Sequence, residues 1–146
     1  MGTFRKIALS DLDDALFSMQ NGRNRLAVYC FQQFAEKSAK ALLEKKDPES
    51  KWLKSHAVEK IMEAYDPIHK TSDLADKARY LTGFYFDTRY PGDNYSEIVE
   101  AQVLKAHVFA TDLDVYFTSE LEFLEKAIAS TMVDVTTLPK VNLKEN

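Results

Sequence analysis

Apolar residues recur at three- and four-residue steps without a break through residues 24–46, NRLAVYCFQQFAEKSAKALLEKK. On a helix this spacing places Ala27, Cys30, Phe31, Phe34, Ser38, Ala41 and Leu42 on one stripe. Gln33, Glu36, Lys37, Lys40 and Glu44 fall mostly on the other side, so a central helix with one packed and one wet face is predicted. Ala35, Ser38, Ala39 and Ala41 are short enough to let neighbouring helices come close, which predicts a crowded position.

The same period predicts the other elements. Residues 1–9 read as extended or frayed, with Phe4, Ile7 and Leu9 as anchors. Ser10 is the expected N-cap of a helix reaching about Gln20, with Asp11, Asp13 and Asp14 near its positive end and Leu12, Ala15, Leu16 and Met19 facing inward. Gly22 lets the chain turn, so this helix is expected either antiparallel to the central one or nearly continuous with it across a kink. Pro48 marks a connection, and Val58, Ile61, Met62 and Tyr65 then form a short helical stripe ended by Asp66 and Pro67. A fourth helix from Ser72 or Asp73 carries Leu74, Ala78, Leu81 and Tyr85 on one face. Residues 87–94, DTRYPGDN, read as a tight loop. Asn94, with Glu97 three residues on, is the expected cap of a last helix over about 95–126 with a seam of Ala101, Leu104, Val108 and Val115. The alternating, β-branched run TMVDVTTL then predicts an extended tail.

The chain has 146 residues, 45% of them apolar, which supports one core and one domain, 1–146, with its body at about 10–126 and a tail at 127–146. Four glycines and four prolines are few, and the expected class is all-α, a compact up-and-down bundle of about five helices. A net charge of -4 argues against general nucleic-acid binding and leaves room for a local basic patch. Cys30 is the single cysteine, so neither an internal disulfide nor a cysteine-based zinc site can form, and it reads as a small buried side chain. No metal site or cofactor is expected. No apolar run of signal-peptide or membrane-spanning length is visible, and a cytoplasmic protein is expected.

The segment FQQFAEKSAKALL, with Gln32, Gln33, Glu36, Lys37, Lys40, Leu42 and Leu43, resembles the signature helix of the HEPN family of small helical domains. Thr88, Arg89, Tyr90 and Pro91 match a second family motif, and His56 to Ile61 resembles a third, so the likeness spans roughly residues 10–124. The resemblance implies a homodimer. It also implies a nucleotide, RNA or other phosphate-bearing ligand and a separate minimal nucleotidyltransferase as partner, with a role in a toxin–antitoxin pair.

Arg89, Tyr90 and Asn94 are the leading ligand-binding candidates. Arg89 can present a planar fork to phosphate, and the amides of the following helix add partial positive charge. The alternative is a structural corner in which Arg89 pairs with a carboxylate. Gln33, Lys37 and Lys40 read as the polar floor of a ligand pocket or dimer seam, or as a solvated face where the Glu36–Lys40 pair contributes ~0.2–0.5 kcal/mol.

The ribonuclease branch of the family implies Arg followed after four to six residues by His. Here Asn94 stands five residues after Arg89, and residues 90–105 hold no histidine; an asparagine cannot act as a titrating base. His56 reads as a capping or packing residue at the start of the third helix. His69 in a loop and His107 on the last helix read as exposed or structurally bonded. Three functions follow as expectations: a non-catalytic ligand-binding module with Arg89 as its central residue, a metal-independent endoribonuclease with a degenerate motif, or a purely structural interaction domain.

Overall fold

A computed structural model describes residues 2–89 and 97–131; the side chains of Arg89 and Thr131 are outside the description. The helices are α1 (Thr3–Gln20), α2 (Asn24–Lys46), α3 (Val58–Tyr65), α4 (Asp73–Arg89) and α5 (Glu100–Thr131), with short 3-10 helices at Lys51–Lys54 and Pro67–Thr71. No strand occurs among the described residues. The all-α expectation holds.

α2 is the crowded spine that its small residues predict. Gly22, at φ +70°, makes the turn from α1, a backbone region that glycine enters without strain. α1 then returns antiparallel along α2, so that Arg5 near its start meets Ser38. α3 runs in the same general sense as α2: Gln32 donates to the His56 carbonyl and Lys46 to the Tyr65 carbonyl. Phe34 meets Phe117 of α5 edge-on, with ring centroids 6.2 Å apart. Burial on all sides of α2 extends even to Gln32, Glu36, Ser38 and Lys40, which corrects the expected wet face for Glu36 and Lys40. Gln32, Glu36 and Lys40 are hydrogen-bonded to one another and Ser38 accepts from Arg5, the condition under which such groups can be buried.

Helix boundaries differ from the sequence reading at four places. α1 begins at Thr3, with Gly2 as N-cap, and Ser10 lies inside it. Residues 3–9 are therefore helical, and Arg5 explains why. Its guanidinium donates to Ser38 Oγ at 2.8 Å, Asp114 Oδ1 at 3.0 Å and Thr118 Oγ1 at 3.0 Å, tying α1 to α2 and α5.

α4 continues to Arg89, so Asp87, Thr88 and Arg89 are helical where a loop was expected. None of these residues breaks a helix, and the first proline, Pro91, comes later. α5 starts at Glu100, not at 95. Gln102 Oε1 accepts from the Val99 amide at 2.9 Å, a reach back of three residues that belongs to a capping box. α5 also runs beyond 126 to Thr131, shortening the expected tail by its first five residues. Asn94, Tyr90 and the TMVDVTTL tail beyond Thr131 lie outside the described residues.

The expected seam of α5 is replaced by a neighbouring one. Val103, Ala106, Ala110, Leu113, Phe117, Leu121 and Leu124 are buried. Leu104, Val108 and Val115 are 50%, 54% and 69% exposed. Both stripes have helical spacing; the inner one places Ala106 and Ala110 where the bundle is tightest.

Candidate functional site

The centre of the polar cluster is the carboxylate of Glu36, buried midway along α2. Gln32, one turn earlier, donates to Oε1 at 3.1 Å; Lys40, one turn later, donates to Oε2 at 3.1 Å. Lys37 Nζ is 3.2 Å from Oε2, and His56 Nδ1 is 3.2 Å from Oε1. Gln33 completes the chain, donating to Gln32 Oε1 at 2.7 Å and accepting from Lys37 Nζ at 3.1 Å. Burial by itself would raise the pKa of Glu36, but the Lys37 charge, the Gln32 hydrogen bond and Lys40 outweigh it. The carboxyl is held below its ordinary value and is ionised near neutrality. Asp11 of α1 has the opposite bias: burial raises it, although the Lys37 charge pulls it down.

Of the sequence candidates, Gln33, Lys37 and Lys40 are thus brought together. Lys40 is directed at Glu36 from the interior, with 7% side-chain exposure; Lys37 retains 21%. Their partners are the signal that the sequence held in plain view: Gln32, Glu36 and Lys40 stand at successive four-residue steps.

His56 is the functional candidate that a capping role did not anticipate. It precedes α3, with Ala57 as that helix's N-cap, and its side chain is 46% exposed. Its ring stacks on Tyr85 of α4 at a centroid distance of 4.2 Å and an interplanar angle of 12°. Nδ1 faces a carboxylate, so the tautomer of the neutral imidazole that can donate to it carries its proton on Nδ1 and leaves the Nε2 lone pair as acceptor. The other histidines are differently placed. His69 is buried, with Nε2 2.6 Å from Tyr116 Oη and Nδ1 3.3 Å from Ser72 Oγ, and His107 stacks against Phe31.

A cavity of about 500 Å³ opens between the start of α2 and the end of α4, lined by Arg23, Arg25, Leu26, Tyr29 and Thr88. Arg25 donates to the Thr88 carbonyl, and neighbouring Asn24 donates to the Ile98 carbonyl at 3.1 Å. The first two residues of α2 therefore hold both sides of the chain segment that contains Arg89, Tyr90 and Asn94. No sequence motif flagged Arg23 or Arg25. Arg89 itself is the last residue of α4, and this puts its backbone directly after the cavity wall.

Cys30 is buried, and burial followed by the charges of Asp11 and Asp14 pushes its thiol up to about 11, which leaves little thiolate near neutrality. Among the described residues no group of three or more His, Cys, Asp or Glu is gathered to hold a metal ion, and no helix is long and apolar enough to cross a membrane.

These features define a small all-helical domain with a polar cluster buried in its spine and an arginine-lined cavity at one end. The chain belongs to the HEPN family: the model of the HEPN domain matches residues 1–129. No curated protein and no solved structure gives a match.

Proposed function

We propose that this HEPN protein is a binding module for a nucleotide or another phosphate-bearing ligand, working beside a separate minimal nucleotidyltransferase as one half of a toxin–antitoxin pair. The observation that carries the ligand reading is the cavity of Arg23, Arg25, Leu26 and Tyr29, whose wall at Thr88 is followed directly by the motif arginine. Two guanidinium groups beside apolar and aromatic side chains suit a ligand that is anionic at one end and planar at the other. Arg89, Tyr90 and Asn94 would add contacts from the motif segment. Lys37 and Gln33 would extend the polar surface along α2, with Lys40 fixing Glu36 behind them.

The protein would act as a homodimer through the exposed Leu104, Val108 and Val115 stripe of α5. Isothermal titration with AMP, ATP and inorganic phosphate tests the ligand reading, run beside Arg25→Ala and Arg89→Ala. Binding that weakens at least tenfold in either variant supports it. Absence of binding by the wild-type protein to all three ligands refutes it. Co-purification with a coexpressed nucleotidyltransferase from a neighbouring gene tests the partner.

The His56–Glu36 contact favours a second reading, a metal-independent endoribonuclease in which His56 replaces the histidine missing at Asn94. Nε2 would take the proton of a ribose 2′-hydroxyl, the 2′-oxygen would bond to the adjacent phosphorus, and the 5′-oxygen would leave and take up a proton. The products would be a cyclic phosphate and a 5′-hydroxyl, with Lys37 steadying the phosphorane charge. Incubation with mixed single-stranded RNA in excess chelator checks this. Cleavage lost in His56→Ala and Arg89→Ala is the expected result, and intact RNA with the wild-type protein rules it out.

A further inference from the structure

We infer that His56, backed by Tyr85, is a stacking platform for the nucleobase of the bound ligand, an inference that rests on the nucleotide reading above. The imidazole is unusually constrained for a half-exposed side chain. One face lies parallel to the Tyr85 ring at 4.2 Å, and Tyr85 is itself buried on α4. The Nδ1 edge is held at 3.2 Å by Glu36, which the fold has made immobile and ionised. Even the main chain is fixed, since Gln32 Nε2 donates to the His56 carbonyl at 3.1 Å.

Glu36 and Gln32 therefore determine both where the residue sits and how its ring is turned. Such ordering normally costs conformational freedom at the moment a ligand binds; here folding has already met that cost. What remains is an aromatic ring of fixed orientation on a side chain that is 46% exposed. A flat ring of any base can stack on it without a hydrogen-bond code.

Position supports the same assignment. Tyr85 and Thr88 are three residues apart on α4, and Tyr29 and Gln32 are three apart on α2, so the platform lies about 5 Å, one helical turn, from the cavity along both helices. A single nucleotide could lay its base on His56 while its phosphate reaches the Arg23 and Arg25 end. Of the charges near the ring, Glu36, Lys37 and Lys40 of α2 are paired among themselves, and Asp11 of α1 feels the Lys37 charge, which leaves stacking as the ring's own contribution.

Titration of the full-length protein with AMP and with ribose 5-phosphate tests the inference, because the two ligands share the phosphate and differ in the base. The wild-type protein is expected to bind AMP about tenfold or more tightly than ribose 5-phosphate, from the usual strength of base–aromatic stacking. His56→Ala should bring AMP down to the affinity of ribose 5-phosphate and leave ribose 5-phosphate unchanged. His56→Phe should keep most of the preference for AMP, since a phenyl ring stacks but cannot exchange a proton. Equal affinity of the wild-type protein for both ligands overturns the platform and leaves the phosphate reading standing. A His56→Phe variant with a wild-type melting curve that loses the preference as fully as His56→Ala overturns it as well. Absence of binding to either ligand overturns both readings.

Discussion

His56 Nδ1 and Glu36 Oε1 stand 3.2 Å apart, which couples a half-exposed ring ahead of α3 to a carboxylate with 1% side-chain exposure in the middle of α2. The outer residue draws its orientation from the inner one, so changes at Glu36 should be felt both in folding and at the surface.

Glu36→Leu removes the counter-charge of Lys40, whose side chain is 7% exposed. Breaking one partner out of a buried pair costs about 3–5 kcal/mol, and a loss of that order is expected in urea unfolding. The double change Glu36→Leu with Lys40→Met leaves no orphaned charge and should recover much of the loss. A double variant no more stable than the single one would show that the cluster's worth is not in its charges.

Acid should find the same group. The folded-state value of Glu36 lies below its ordinary 4.5 because Lys37, Gln32 and Lys40 together overcome the burial that would raise it. The stabilisation it brings is fully present above the unfolded value and is lost as pH falls through the lower, folded one. The urea midpoint should be level from neutrality to about pH 5 and drop below that, and Glu36→Gln should flatten the drop. Asp11 works in the other direction: its raised value means that ionisation costs the fold stability, so Asp11→Asn should raise the urea midpoint at pH 7.

Arg5 holds three partners on two other helices with a side chain 10% exposed. Arg5→Ala should destabilise by about 2–3 kcal/mol, the range for hydrogen bonds to a charged group, and Arg5→Lys should recover little because an ammonium lacks the planar fork. Thermal melts of the two variants decide this; full rescue by lysine would count against the fork.

Val108 and Val115 make a sharp test of the dimer. Both are more than half exposed on the helix, so Val108→Asp with Val115→Asp should leave the melting temperature of the monomer nearly unchanged. Light scattering after size exclusion should show a change from twice the chain mass to one. A wild-type protein already at one chain mass defeats the proposal.

Cys30 should be slow to alkylate. Its thiol, raised to about 11 by burial, Asp11 and Asp14, supplies little thiolate at pH 7.5. Mass spectrometry after iodoacetamide should find it largely unmodified in buffer and fully modified in urea.

The periodicity of α2 was legible because small and apolar residues repeat without a break, and its bounds, Asn24–Lys46, are those of the sequence pattern. Helix identity also followed for α3 and α4. What misled was competition between equally good local signals. Asn94 with Glu97 imitates the capping pair that Val99 and Gln102 form, and two apolar stripes compete for the inside of α5.

The polar cluster was half visible. Glu36, Lys37 and Lys40 were legible as a helix-spaced group, but a pattern along one helix carries no information about what the other helices cover, and so the burial of Glu36 and Lys40 was not. Arg23, Arg25 and the pairing of His56 with Tyr85 depend on tertiary neighbours more than 25 residues apart, beyond any local motif.

Asn24 and Arg25 each reach across to a main-chain carbonyl, those of Ile98 and Thr88. A grip on the main chain is indifferent to what residue stands there. A change of side chain at Thr88 or Ile98 therefore leaves these two hydrogen bonds available, and both ends of the stretch between them stay docked to the same pair of residues. The start of α2 thus serves as a mount that clasps the motif segment by its two ends.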